Sequence, residues 1–310
     1  MNSLELFKTQ KFYQIDISIL KDLGYDVLLS NRIFDSLLFW KYDILFSYFY
    51  RYSFFAALLA KCFGKKTYFT GGIDSLDSDY ASAFNYKIQA LFFKLCYWVA
   101  DSCIIVSQSD LKNIFKVSSL KKKLSYSEHV INTKLFIADV PKEKIFTSIV
   151  WMGDEGNVVR KGVDKALQIF AELKKIPEFV DYRFVIIGRK GEGEVLVRSI
   201  IDKYNLKGSV ELKGEVSEED KINLLKQSKY YFQLSLYEGF GLAALEALCA
   251  NNIIIHSGKG GLANPIYKEQ LLFDIDNDFD SELLKLVNKL ACFTPITSYD
   301  NLLEYYDIQR

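Results

Sequence analysis

Short apolar or β-branched runs alternate with longer amphipathic runs along almost the whole chain, and no other feature constrains the fold as strongly. In the first half, residues 43–47, 67–70 and 102–106 read as strands, with a further short strand expected at 26–29. Residues 10–23, 53–63, 80–99 and 109–115 read as helices; Gly24 and Gly64 stop the first two, and Ser109 is the expected cap of the last. The rhythm continues with strands at 146–151, 182–187, 210–212, 230–234 and 252–255, and helices at 162–174, 192–204, 218–227 and 240–250. Strands separated by helices of this length form βαβ units, so an α/β chain with parallel sheets is expected.

About nine strand–helix steps are too many for one open sheet of ordinary size, and 310 residues is about twice a typical domain. The rhythm breaks between Lys121 and Lys144, where charges and Pro141 interrupt it. The expected organisation is therefore a domain at 1–143, a second at 144–296, and a C-terminal segment, 297–310, returning toward the first. Two doubly wound sheets would place their ligand crevices at strand carboxyl ends, in a shared cleft.

Composition removes several function classes. Half the residues are hydrophobic and a quarter charged, which excludes a disordered tail protein, a collagen-like chain and a coiled coil. Lysine plus arginine equals aspartate plus glutamate, 39 against 39, so no overall charge advertises nucleic acid. Only two histidines are present, which argues against a multi-histidine metal site. The five cysteines (Cys62, Cys96, Cys103, Cys249, Cys292) are scattered and form no CxxC pair, as expected of reduced cytosolic thiols.

The charge balance hides a gradient: residues 1–150 hold 19 basic and 14 acidic groups, a net of +5, and residues 151–310 hold 20 and 25, a net of −5. Residues 37–63 are rich in Phe and Tyr, but Lys41, Asp43, Arg51 and Lys61 interrupt them, so they do not span a bilayer. The start of the chain, with Glu5 and Lys8, shows no targeting segment. A cytoplasmic protein is expected. The aromatic stretch with Lys41, Arg51, Lys61, Lys65 and Lys66 offers an anionic membrane surface as a partner, against the plainer reading of core aromatics and solvated lysines.

The stretch with the most chemistry is SLYEGFGLAALEAL, residues 235–248, which follows an apolar strand and opens a helix. Gly239 and Gly241 allow close backbone approach and leave N–H groups at the helix start, a site suited to phosphate. Glu238 lies in the turn and Glu246 about two turns into the helix, where carboxylates can accept hydrogen bonds from sugar hydroxyls. Gly260 and Gly261 follow. Thr70-Gly-Gly-Ile-Asp74 ends a strand in the first half, where Asp74 can touch an acceptor hydroxyl and Gly71 and Gly72 allow approach; a plain turn is the alternative. His129 and His256 are read as packing residues.

Residues 235–248 resemble the signature of the retaining GT-B glycosyltransferases, specifically glycosyltransferase family 4, in which two glutamates bracket a glycine-rich turn. The resemblance extends through residues 130–136, 159–167, 184–188 and 258–262, and so covers 128–275 in order; in the first half only 100–107 match, loosely. It implies two facing Rossmann-like domains. It further implies that Glu246 binds the donor ribose and that Glu238 orients the donor sugar. The backbone around Gly239, Phe240, Gly241 and Leu242 would hold sugar hydroxyls or the distal phosphate, and Lys161 would neutralise the leaving diphosphate. Family members often carry an arginine after the glycine of the first strand of the second domain. Here Gly153 is followed by Asp154, and Arg189, after Gly188, is the candidate substitute, unless it is merely exposed. The family also opens with a strand and a glycine-rich loop; here a helix-like pattern begins almost at once and that loop is missing, so either the first domain is shortened or residues 2–7 supply its first strand.

The resemblance implies transfer of a hexose from a nucleotide diphosphate sugar to a sugar or lipid-linked acceptor with retention, in surface polysaccharide or glycoconjugate synthesis. No cofactor or metal is expected, because no Asp-x-Asp stands at a strand end as a diphosphate metal site and Lys161 with helix N–H groups can take the charge. The alternatives are a GT-B-fold nucleotide-sugar epimerase and a non-catalytic nucleotide-binding relative.

Overall fold

The computed structural model describes residues 3–71, 73–137, 140–293 and 304–308. Gly72, and residues 297–303 and 309–310 of the expected C-terminal segment, lie outside them. The chain divides into two compact units, Met1–Val130 and Ile131–Arg310, each with its own parallel sheet. The division therefore falls at 130/131 rather than at the expected 143/144. A local pairing is the cause: the Ile131 N–H donates to the Tyr306 carbonyl and the Ile308 N–H to the Ile131 carbonyl, both at 2.9 Å. The Thr133 hydroxyl also donates to the Asp307 carboxylate at 2.5 Å. Residues 131–136 and 304–308 thus hold each other within the second unit.

The first unit runs α1 (Ser3–Thr9), α2 (Lys11–Asp22), β1 (Ile44–Tyr48), α3 (Tyr50–Cys62), β2 (Lys66–Thr70), α4 (Ala83–Val99), β3 (Ser102–Ile105), α5 (Gln108–Val117) and β4 (Leu124–Tyr126). Its strands are parallel and lie in the order β1-β2-β3-β4. Every crossover advances in the same direction, so right-handed connections place α3, α4 and α5 on one face. There Phe54, Ala57, Phe69, Phe93, Cys96, Cys103 and Ile114 make the core. The α1–α2 aromatics pack on β1: the rings of Tyr13 and Tyr48 meet edge to face at 4.5 Å.

Three expectations are corrected in this unit. Residues 2–7 do not supply a strand: Ser3–Thr9 is helical, and Phe7 packs on Tyr13 with ring centroids 4.6 Å apart. Residues 26–29 form no strand, because among the described residues β1 pairs only with β2. The cap of α5 is Ser107, whose hydroxyl accepts the Asp110 N–H at 3.1 Å, rather than Ser109, which lies inside the helix.

The second unit runs β5 (Glu143–Ile149), α6 (Glu155–Arg160), α7 (Val163–Leu173), β6 (Arg183–Ile187), α8 (Glu194–Lys203), β7 (Val210–Gly214), α9 (Glu218–Gln227), β8 (Ser228–Gln233), α10 (Leu242–Cys249), β9 (Ile253–His256), β10 (Leu271–Leu272) and α11 (Phe279–Cys292). Its order is β10-β9-β8-β5-β6-β7, all pairs parallel. After β7 the chain returns to the other side of β5, so the winding reverses between β5 and β8. Both faces are apolar, as the uninterrupted hydrophobic strands require. Phe146, Phe184, Ile186, Phe232 and Ile255 face α7, α8 and α11. Ile145, Val185 and Ile187 cluster with Leu224 of α9 on the other face. The expectation of two doubly wound sheets therefore holds for the second unit alone; the described strands of the first sheet never reverse.

No helix among the described residues is long and apolar enough to cross a membrane. Cys96, Cys103 and Cys249 are buried free thiols, and Cys62 and Cys292 are exposed ones.

Candidate functional site

In an open parallel sheet the ligand crevice lies outside the strand carboxyl ends where the winding reverses, because the flanking loops there part to opposite faces. In the second unit that point is the end of β5 and β8. Residues 234–241 follow β8 there, and the packing of their neighbours explains why glycine is needed. Gly162, at φ +68, leaves no room for a side chain: a Cβ would lie 2.0 Å from the Leu234 carbonyl oxygen. The Leu236 N–H donates to the Arg160 carbonyl at 2.8 Å. This contact docks the end of α6 on the β8 loop and carries Lys161 onto Glu238. Gly260 is under the same constraint, since its Cβ would stand 2.2 Å from the Glu238 carbonyl oxygen.

Lys161 Nζ donates to Glu238 Oε2 at 2.7 Å. The same oxygen accepts from Gln233 Nε2 at 3.1 Å and from Ser235 Oγ at 3.2 Å. Gln233 in turn accepts from the Tyr231 hydroxyl at 3.0 Å, and that hydroxyl accepts the Ile149 N–H at 3.4 Å. A buried polar chain thus runs from the end of β5 to one oxygen of Glu238. Oε1 has no hydrogen-bond partner among the described residues, so a ligand can use it.

Glu246 is buried on α10, and its Oε2 accepts from Lys221 Nζ of α9 at 2.8 Å. Lys221 also reaches Glu218 at 3.1 Å and lies over the Phe136 ring. Burial raises the Tyr231 phenol well above its usual range, and the carboxylates of Glu238 and Glu246 push it further in the same direction.

The other candidates fall as follows. Gly241 caps α10 at φ +92, a left-handed conformation that favours glycine, and accepts from the Tyr267 hydroxyl at 3.4 Å. Leu242 opens the helix, whose first N–H groups have no intrahelical acceptor. Gly239 faces open space where a side chain would be. Phe240 is buried, with its ring centroid 6.2 Å from that of Tyr306. The Arg189 guanidinium lies over the Trp151 ring at 5.9 Å, a cation–π arrangement. Asp154 caps α6 by accepting the Asn157 N–H at 2.6 Å, and Arg160 donates to the Asn157 side-chain oxygen at 2.6 Å. Asp154 thus has a local structural task at the position where the family resemblance calls for an arginine.

Asp74 belongs to the first unit and opens a single 3-10 turn after β2, its Oδ1 accepting the Ser75 N–H at 2.9 Å. His256 is buried against the Tyr267 ring and His129 stands near Phe12, so both pack against aromatic rings as expected.

Sequence reasoning missed Lys221, Gln233, Ser235 and Tyr231. Gln233 carries the one available signal, a polar residue ending an otherwise apolar strand run just before the glycine-rich turn.

Residues 156–290 match the Glycosyl transferases group 1 family, which places that domain in the second unit. Over 163 residues the chain is 32% identical to GDP-mannose:cellobiosyl-diphosphopolyprenol alpha-mannosyltransferase of Xanthomonas oryzae pv. oryzae, covering 46% of this chain and 40% of the relative. Over 105 residues it is 30% identical to a subunit of the phosphatidylinositol N-acetylglucosaminyltransferase of Homo sapiens, covering 34% of this chain and 21% of that one. The chain thus spans less than half the length of either relative. Among solved structures it resembles the trehalose-6-phosphate synthase OtsA, with a TM-score of 0.69 at 14% identity over 88% of this chain and 72% of that one. It also resembles Anabaena HepE in complex with UDP, with a TM-score of 0.68 at 13% identity over 89% of this chain and 78% of that one. At these identities the likeness establishes the fold, which is GT-B.

Proposed function

We propose that the chain is a glycosyltransferase that moves a hexose from a nucleotide diphosphate sugar to a sugar or lipid-linked acceptor with retention of configuration, as resemblance to glycosyltransferase family 4 implies. The observation that carries the reading is the Lys161–Glu238 pair at the switch point of the second sheet, with one carboxylate oxygen fixed by three donors and the other open. Glu246 would take the donor ribose, and Glu238 would orient the sugar through Oε1. Lys161 and the N–H groups at the start of α10 would hold the diphosphate, which needs no resident metal in this scheme. The departing diphosphate would accept the acceptor's proton, so no protein nucleophile is required.

The names of two relatives carry lipids, a diphosphopolyprenol and phosphatidylinositol, and this supports a lipid-linked acceptor and a place in glycoconjugate synthesis. Incubation with a panel of nucleotide sugars tests the reading. Nucleotide released in step with acceptor glycosylation is the expected result. A changed sugar without acceptor would make the protein an epimerase, and binding without turnover a non-catalytic relative.

A further inference from the structure

We propose that the outer face of α3 and α4 in the first unit is a docking surface for an anionic lipid bilayer. The two helices touch through Phe54 and Phe92, whose ring centroids lie 6.1 Å apart. At about 100° per residue, Tyr52 and Phe55 lie roughly 100–160° around α3 from Phe54 in one sense. Phe84, Leu91 and Trp98 lie about 80–120° around α4 from Phe92 in the opposite sense. Both helices cross between parallel strands of one sheet and so run in the same direction. Opposite rotations then bring the two stripes to the same side, away from the sheet. Tyr52 is 74% exposed and Phe55 56%; Phe84, Leu91 and Trp98 are 71%, 54% and 71% exposed.

Charge selects the occupant. Neither helix contains an aspartate or glutamate. Lys87 and Lys94 interleave with Phe84, Leu91 and Trp98 at helical spacing, and Arg51 borders the α3 stripe. None of these three cations makes an ion pair with a described residue. A second copy docked on this face about a two-fold axis would bring lysines to lysines with no acid between them. An anionic bilayer gives the lysines lipid phosphates and the Trp, Phe and Tyr rings the headgroup level, where such rings settle. Of the basic stretch expected at 37–66 the face keeps Arg51, Tyr52 and Phe55, but not Lys61 and Lys65, which are bound to Asp101 at 2.9 Å and to Asp43 at 3.2 Å.

Co-sedimentation with phosphatidylcholine vesicles, with and without phosphatidylglycerol, tests the proposal at low and high salt. Binding to the anionic vesicles alone, lost at high salt, is expected. At about 1 kcal/mol per lysine, Lys87→Gln/Lys94→Gln should lower partitioning roughly thirtyfold. Trp98→Phe should abolish tryptophan quenching by brominated phosphatidylglycerol while leaving sedimentation nearly intact. Absence of binding to anionic vesicles, undiminished binding of the double variant, or quenching that survives Trp98→Phe would each overturn it. So would a dimer in sedimentation velocity that Leu91→Glu dissociates and that excludes vesicles.

Discussion

In the first unit the strands cross the sheet in chain order, β1 to β4, whereas in the second the order turns back at β5 and β8. A sheet that advances one way stacks its crossover helices on one face and never parts its loops. A sheet that reverses opens a crevice, and there the chain has placed Lys161, Gln233, Ser235 and Glu238 within hydrogen-bond reach of one another. The first unit's candidate, Asp74, spends its hydrogen bond on its own turn. The winding of a sheet, more than its composition, thus gives the second unit a switch point that the described strands of the first lack.

The sharpest way to break this contrast is Glu238→Gln. On the proposed reading this charge faces the reacting sugar, so its loss should cut turnover by about 100-fold or more, with a smaller rise in donor KM. An effect confined to KM would remove the orienting role.

Acid stability compares the units directly. Burial holds His256 in the second unit and His129 in the first down to about 4. Between the unfolded value near 6.5 and about 4, the unfolded chain takes up a proton that the folded chain refuses. Stability is therefore full above about pH 6.5 and falls as pH drops toward 4, by up to about 3 kcal/mol for a buried histidine. His256→Leu should flatten this acid limb in the melting of the second unit and leave that of the first unchanged, as calorimetry between pH 4 and 7 would record.

Lys221→Met removes the α9 cation that pairs with Glu246 at 2.8 Å, and should weaken nucleotide binding about tenfold while Lys221→Arg retains most of it. Equal affinity in Lys221→Met and wild type would make that pair structural only. The smallest effect is expected in the first unit: Asp74→Asn should lower transfer by roughly fivefold, one hydrogen bond's worth, and leave donor hydrolysis intact. Equal loss of both activities would take Asp74 out of the acceptor site.

Much of the second unit is legible in the sequence because its strands are buried on both faces and read as unbroken apolar runs, such as residues 184–187 and 253–255. Gly260 stands out in the sequence beside Gly261, but the need for glycine there and at Gly162 shows only in the structure, where a Cβ would strike a carbonyl oxygen. The Lys161–Glu238 pair spans 77 residues, so local pattern cannot pair the two, although each stands out within its own motif. Lys221 looks like one more charge in the acidic, solvated start of α9, and only the packing of α9 beside α10 turns it inward. In the first unit the aromatic excess misleads. Residues 26–29 have strand composition without a strand to pair with, and the exposed ring faces of α3 and α4 are indistinguishable from core in a sequence.

Calorimetric titration of nucleoside diphosphates, UDP and GDP, into the wild-type chain and into Glu246→Ala and Lys161→Ala tests the central claim most directly. Each substitution removes a charge-assisted contact worth about 1.5–3 kcal/mol, so affinity for the preferred nucleotide should fall about ten- to a hundredfold in both. Tight binding to the wild type that neither substitution changes would contradict a donor site at the switch point of the second sheet.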